Sequence, residues 1–152
     1  VFLVYQIVVL LGISWRGALL TALLFGIHPM RVESVAWITE RKDVLFGAFY
    51  LAALLQYIKL KLDGKSIRWI WIIIFFILSL FSKIQAVSLP ISMLAIDYYL
   101  DGKWTFSDFK TRIFQKIPLF LLSLVFGILG LITLSLFGSL SIKEDITYFN
   151  LK

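Results

Sequence analysis

Seven ionisable side chains, His28, Arg31, Glu33, Glu40, Arg41, Lys42 and Asp43, fall within the sixteen residues HPMRVESVAWITERKD. His28 is the chain's one histidine and precedes one of its three prolines. Wound as a helix at about 100° per residue, Glu33 and Glu40 nearly eclipse each other, and Asp43 lies within a quadrant of Glu40. Carboxylate oxygens on one face can take a divalent cation, with Glu33 as the position for a metal ligand, or can orient a hydroxyl acceptor. Arg41 and Lys42 at one end, with His28 and Arg31 at the other, suit a phosphate: the guanidinium as a planar fork, the ammonium as a point charge. An equally weighted account makes residues 40–43 a self-neutralising surface cluster, each exposed pair contributing about 0–1 kcal/mol. Lys83, beside Gln85 between two apolar runs, also has two readings: an interface anchor or a phosphate contact.

These charges are set in oil. The 152 residues are 61% hydrophobic and 16% aromatic, and only 16% are charged, against about 25% in soluble domains. Mean hydropathy is +0.94. Long apolar runs divided by short charged clusters predict an all-α fold, a polytopic transmembrane helical bundle. A soluble fold would lack the polar surface to cover its outside. Spans are expected over roughly 1–13, 17–27, 44–58, 69–81, 86–100 and 117–137. The first two are short: ten to thirteen helical residues cover about 15–20 Å of a hydrocarbon core roughly 30 Å thick. Either they form one kinked helix, or the second ends recessed, with the polar stretch in a cavity.

Pro90, inside the fifth run, predicts a kink, whereas Pro118 suits the first turn of the sixth. Asp63-Gly64 is a turn signal. The spacing of Phe106, Phe109 and Ile113 predicts a short amphipathic helix on the membrane surface. Asp97 reads as a helix-end carboxylate near Lys103, and Tyr98-Tyr99 as an interface belt.

Alternate polar links carry unequal numbers of Lys and Arg. Arg16, residues 59–68 and residues 103–116 hold nine; residues 28–43, Lys83 and the C-terminal segment hold six. By the positive-inside rule the nine face the cytoplasm, and the polar stretch and Lys83 face the outside or a lumen. The net charge of +6 thus sets topology and does not point to nucleic acid. No cysteine is present, which removes disulfides and thiolate metal sites. Neither phosphate-binding glycine loops nor an HExxH zinc motif occurs. The chain opens on Val1 inside an apolar run and is expected to be a fragment of a larger membrane protein, inactive alone.

ALLFGIHPMRVESVAWITERKDVLFGAFYLAALLQY resembles a block of the transmembrane, TPR-repeat-containing protein O-mannosyltransferases and their bacterial relatives. LSLFSKIQAVSLPISMLAIDYYL and KIPLFLLSLVFGILGLITL follow in the same order. The matching positions are His28-Pro29, Glu33, the run 40–43, Ser82-Lys83, Pro90 and Asp97-Tyr98. Ile84-Gln85 departs from the pattern, which often has a proline after the Ser-Lys pair. The resemblance implies a GT-C fold and a multi-pass protein of a bacterial or archaeal inner membrane or the endoplasmic reticulum. It implies transfer of a sugar, mannose foremost, from a lipid-linked sugar phosphate to a hydroxyl of an acceptor protein. The catalytic carboxylate is then expected upstream of residue 1, and the TPR repeats downstream. Residues bound to substrate would be His28, Arg31, Glu33, Glu40, Arg41, Lys42, Asp43 and Lys83. The rival class is a non-enzymatic polytopic membrane protein, a transporter part or a scaffold, among membrane lipids alone. A transporter calls for paired broken helices in two related halves, and only Pro90 marks such a break.

Overall fold

Apolar runs satisfy their backbone most simply as helices when water is scarce, and a computed structural model of the chain is all α. It describes residues 1–29, 41–102 and 106–150, and among them seven α-helices. They are α1 (Phe2–Leu10), α2 (Trp15–Ile27), α3 (Arg41–Asp63), α4 (Arg68–Ser82), α5 (Leu89–Asp101), α6 (Phe106–Gln115) and α7 (Ile117–Asn150), with a 3₁₀ turn over Ile84–Ser88 before α5.

The first two apolar runs are not one kinked helix. Gly12 adopts φ +87°, a left-handed conformation that glycine alone enters cheaply, and the chain doubles back. Ser14 caps α2 by accepting the N–H of Gly17 at 3.4 Å. The Val1 side chain lies so near Gly26 that an added Cβ would sit 2.8 Å away. The start of α1 therefore packs against the end of α2, as an antiparallel hairpin with Ala18 and Ala22 buried. Helix α2 stops at His28, whose extended backbone (φ −61°, ψ 127°) is what a following proline imposes.

Helices α3 and α4 form the most extensive pairing, joined at Gly64 with φ +67°, the expected turn. Arg68 clamps it, donating to Asp63 at 2.6 Å and to Gln56 at 3.0 Å. Between the two helices Ala53, Leu54, Ile72, Phe76 and Leu80 make the core, which Ala86, Leu89, Met93 and Leu119 complete from the 3₁₀ turn, α5 and α7. Phe49 stacks on Phe75 with centroids 6.5 Å apart.

The 23 residues of α3 extend about 35 Å. Among the described residues it is the one helix long and apolar enough by itself to cross a membrane. Residues 109–115 and 117–133 pass that test together but bend by 64° between α6 and α7. Helices α2 and α4 are apolar but shorter. The expected six crossings thus stand as one or two candidate spans with shorter apolar helices. The outward residues agree with an apolar surrounding: Leu20 and Leu24 on α2, Ile70 and Trp71 on α4, and Leu124, Val125 and Leu129 on α7 are all at least half exposed.

Pro90 does not kink a helix. It lies in the first turn of α5, where its missing N–H has no intrahelical acceptor to lose. The 3₁₀ turn supplies the change of direction that the sequence pattern assigned to the proline. Pro90→Ala is accordingly expected to lower stability by about 1–2.5 kcal/mol, partly through the unfolded chain and partly through the packing lost with its fully buried ring. Unchanged helicity by circular dichroism, with that loss on chemical unfolding, is the expected result. A loss above about 3 kcal/mol would restore an interior role. Helix α6 forms where the amphipathic pattern put it, and α7 begins at Ile117 as expected but continues to Asn150.

Candidate functional site at Asp43 and Lys83

Arg41, Lys42 and Asp43 open α3. A carboxylate in the first turn is favoured by the unpaired N–H groups and positive end of the helix dipole. Forty residues later α4 ends at Ser82, and Lys83 takes an extended conformation (φ −158°, ψ 136°) with its N–H on the Ser79 carbonyl at 3.0 Å. Its ammonium donates to Asp43 Oδ1 at 2.5 Å. Both side chains are about a quarter exposed, so the pair keeps open positions. Among the described residues the pair uses one carboxylate oxygen and one ammonium proton, which leaves a second oxygen and two protons for other partners.

The surroundings hold this pair in register. Buried Ser79 donates to the Phe46 carbonyl at 3.3 Å and ties α4 to α3. The Tyr50 hydroxyl lies 3.2 Å from Ser88 Oγ and 2.6 Å from Ser92 Oγ, fastening the 3₁₀ turn and α5 to α3. On the other side Ile84 fills the space above Gly130, where an added Cβ would overlap its side chain.

Two apolar spaces flank the pair. A cavity of about 370 Å³ runs between the α1–α2 hairpin and α3, bordered by Phe2, Leu3, Phe25, Gly26, Val44, Gly47, Ala48 and Leu51, with Asp43 in its wall. An open groove of about 750 Å³ lies between the 3₁₀ turn and α7, from Phe120 to Leu131, with Gln85 as a polar member. A compensated cation between two apolar grooves can bind a molecule with an anionic head and a hydrocarbon tail.

Of the residues singled out in the sequence, Asp43 and Lys83 are brought into contact. Arg41 and Lys42 share the first turn of α3, and His28 ends α2 at the same end of the structure, two residues beyond Gly26 of the cavity wall. Arg31, Glu33 and Glu40 lie outside the described residues, and with them the eclipsed acidic face and the metal position at Glu33. Among the described residues no three His, Asp or Glu side chains converge on a point that could hold a metal ion.

A second polar cluster was missed. Asp97 is not a helix-end carboxylate at the surface but is fully buried. It accepts from the Tyr57 hydroxyl at 2.5 Å, from Lys61 at 2.8 Å and from Lys116, and Arg112 stands 3.7 Å away. Asp101 extends the cluster to Arg112 at 2.7 Å and Lys61 at 3.6 Å. Lys103, the expected partner, lies outside the described residues. The signal was in the spacing: Tyr57/Lys61, Asp97/Asp101 and Arg112/Lys116 are each i, i+4 pairs, so each shares a face where it is helical.

These contacts sort the polar links into two ends. The Tyr99 hydroxyl donates to the Leu11 carbonyl at 3.2 Å, which puts the hairpin tip with Lys61, Asp97 and Arg112. Asp43, Lys83 and Gly26 lie at the other end, about 27 Å away along α3. The grouping matches the alternation of cation-rich and cation-poor links.

No family model and no solved structure matches the chain. Among curated proteins it has distant, partial similarity to protein O-mannosyl-transferases. It is 41% identical to protein O-mannosyl-transferase TMTC3 of Mus musculus over 54 residues, 36% of this chain and 6% of that protein. The human TMTC3 protein is 35% identical over the same share of each chain. Protein O-mannosyl-transferase TMTC4 of Homo sapiens is 26% identical over 113 residues, 70% of this chain and 15% of that protein. The alignments thus span a small part of the length of these relatives, and the chain is related to glycosyltransferases.

Proposed function

We propose that the chain forms the donor-binding wall of a membrane glycosyltransferase of GT-C type. In this reading a sugar, mannose as in the relatives' names, passes from a polyprenyl-phosphate donor to a hydroxyl of an acceptor protein. The face is the one opposite residues 59–68 and 103–116, external or lumenal. The observation that carries the reading is the Asp43–Lys83 pair set between two apolar grooves, in a chain with partial similarity to O-mannosyl-transferases.

A prenyl tail fits the grooves. Its phosphate meets the polar end, where Lys83 and Arg41 are the direct contacts and Lys42, His28 and Arg31 add donors. Asp43 holds the Lys83 ammonium in place, and Glu33 and Glu40 are left to position the acceptor. In the transfer the acceptor oxygen bonds to the anomeric carbon as the bond from that carbon to the phosphate oxygen breaks, with inversion. The hydroxyl proton goes to a carboxylate base outside these residues. The leaving phosphate gains charge in the transition state, so fixed cations beside it lower the barrier more than they strengthen ground-state binding.

Arg41→Ala and Glu33→Ala, made in the full-length protein and assayed with a radiolabelled polyprenyl-phosphate mannose, test the assignment. Arg41→Ala is expected to slow transfer at least about tenfold with an unchanged thermal midpoint. Wild-type rates in both variants overturn the reading.

A further inference from the structure

The Asp97 cluster does not balance its own charge. Among the described residues three cations, Lys61, Arg112 and Lys116, surround two carboxylates, Asp97 and Asp101. The adjacent Arg68–Asp63 pair adds no net charge, nor do Asp108 and Lys110 taken together, whereas Lys59 and Lys65 raise the positive potential of the same end. The excess faces a space. A cavity of about 450 Å³ opens where α3, α4 and the α6–α7 bend meet, lined by Tyr57, Leu60, Lys61, Trp69, Gln115 and Lys116. Lys116 is almost fully buried, held by Asp97 and lying 5.2 Å from the centre of the Tyr57 ring.

The buried cation, Lys116, is paired with Asp97, so the excess positive charge falls on the partly exposed Lys61 and Arg112. An anion beside Lys61 and Lys116 would be favoured by it. The Asp97 carboxylate cannot meet the excess, because Tyr57, Lys61 and Lys116 already occupy both its oxygens. The cavity is larger than a phosphate group, and its wall combines two ammonium groups with an amide, the aromatic faces of Tyr57 and Trp69, and Leu60. Exposed Ile67, Ile70 and Trp71 continue the apolar surface alongside. We propose that this cavity is a phosphate-binding site, taking the anionic phosphate of a membrane lipid headgroup or a free phosphate ion. It lies at the opposite end of α3 from Asp43 and Lys83 and is separate from the donor site. The inference rests on the membrane half of the reading above and not on its transferase half.

The test uses the full chain in a neutral detergent, titrated separately with short-chain phosphatidylglycerol, short-chain phosphatidylcholine and inorganic phosphate. Thermal midpoint and native mass spectrometry give the readouts. A ligand confined to the folded state raises the midpoint with its concentration. Phosphatidylglycerol is expected to raise it and to remain bound, with phosphatidylcholine inert. A matching rise with inorganic phosphate assigns the site to the free ion, and a rise with the lipid alone assigns it to the headgroup.

Gln115→Glu is the discriminating variant, since Gln115 is exposed and its new carboxylate stands where the ligand's charge belongs. It is expected to keep or raise the unliganded midpoint while weakening phosphate binding about five- to tenfold. Lys61→Gln is expected to lower both the midpoint and the affinity. No midpoint rise with any phosphate ligand overturns the proposal, as does an undiminished rise in Gln115→Glu. Neither result touches the transferase reading, which the Arg41→Ala assay decides.

Discussion

Asp97→Ala is expected to cost about 3–5 kcal/mol of stability, the usual loss when one partner of a buried ion pair is removed. The cost comes less from the missing attraction than from what is left behind. Lys116 is about 1% exposed and would be left beside the Tyr57 ring without its carboxylate partner. Tyr57 would lose the acceptor of its hydroxyl, and among the described residues Lys61 and Arg112 would keep Asp101 as their carboxylate. Removing the orphaned cation as well should recover much of the loss, because an apolar residue of similar volume is well tolerated where a buried pair once stood. The double variant Asp97→Ala/Lys116→Met is therefore expected to be more stable than Asp97→Ala by about 1–3 kcal/mol. Equilibrium unfolding of all four members of the cycle in one detergent gives the coupling directly. An Asp97→Ala loss below about 1 kcal/mol would mean that water reaches the cluster.

That cluster also marks the limit of hydropathy as a guide. Periodic apolar content places helices wherever about a dozen residues run without polar interruption, and α3, α4 and α7 start or end close to the polar links that bound them. It says nothing about direction. Val1 to Ile27 could be drawn as one bent helix because the code for a hairpin is a single residue, Gly12, whose left-handed φ is invisible in composition. Pro90 was misjudged for a related reason. Its apolar neighbours suggested a helix running through it, whereas the 3₁₀ turn before it makes position 90 a beginning. The ion network was hidden because its three i, i+4 pairs lie far apart in the chain, one of them ending at Lys116 in the bend between α6 and α7, and only packing brings Asp97 to Lys116 across 19 residues and to Tyr57 across 40.

The polar stretch fared differently. Its residue types pointed to phosphate and carboxylate chemistry, but type and spacing within one segment carry no information about a partner 40 residues on. The pairing of Asp43 with Lys83 depends on α3 and α4 running antiparallel, so that the first turn of one meets the last of the other. The same geometry turns Lys83 from a free cation into a compensated one. A lysine held by a carboxylate is better placed but less strongly positive towards a ligand.

Lys83→Ala is expected to reduce sugar transfer about 10²–10³-fold, the range seen when one fixed donor to a developing anion is removed. Stability is expected to fall by less than about 1 kcal/mol, because both members of the pair are partly exposed. Lys83→Arg keeps the charge and lengthens the reach, and is expected to retain more activity than Lys83→Ala without matching the native residue. The charge exchange Asp43→Lys/Lys83→Asp separates anchor from ligand. If the pair only ties α3 to α4, exchange restores both stability and transfer. If Lys83 meets the phosphate of the donor, exchange restores stability and leaves transfer near the level of Lys83→Ala, because the carboxylate now stands where the phosphate must come. Initial rates with a radiolabelled polyprenyl-phosphate mannose, beside thermal midpoints of the same preparations of full-length protein, distinguish the two. Recovered transfer in the exchanged variant would remove Lys83 from the donor site and leave it as a strut between helices.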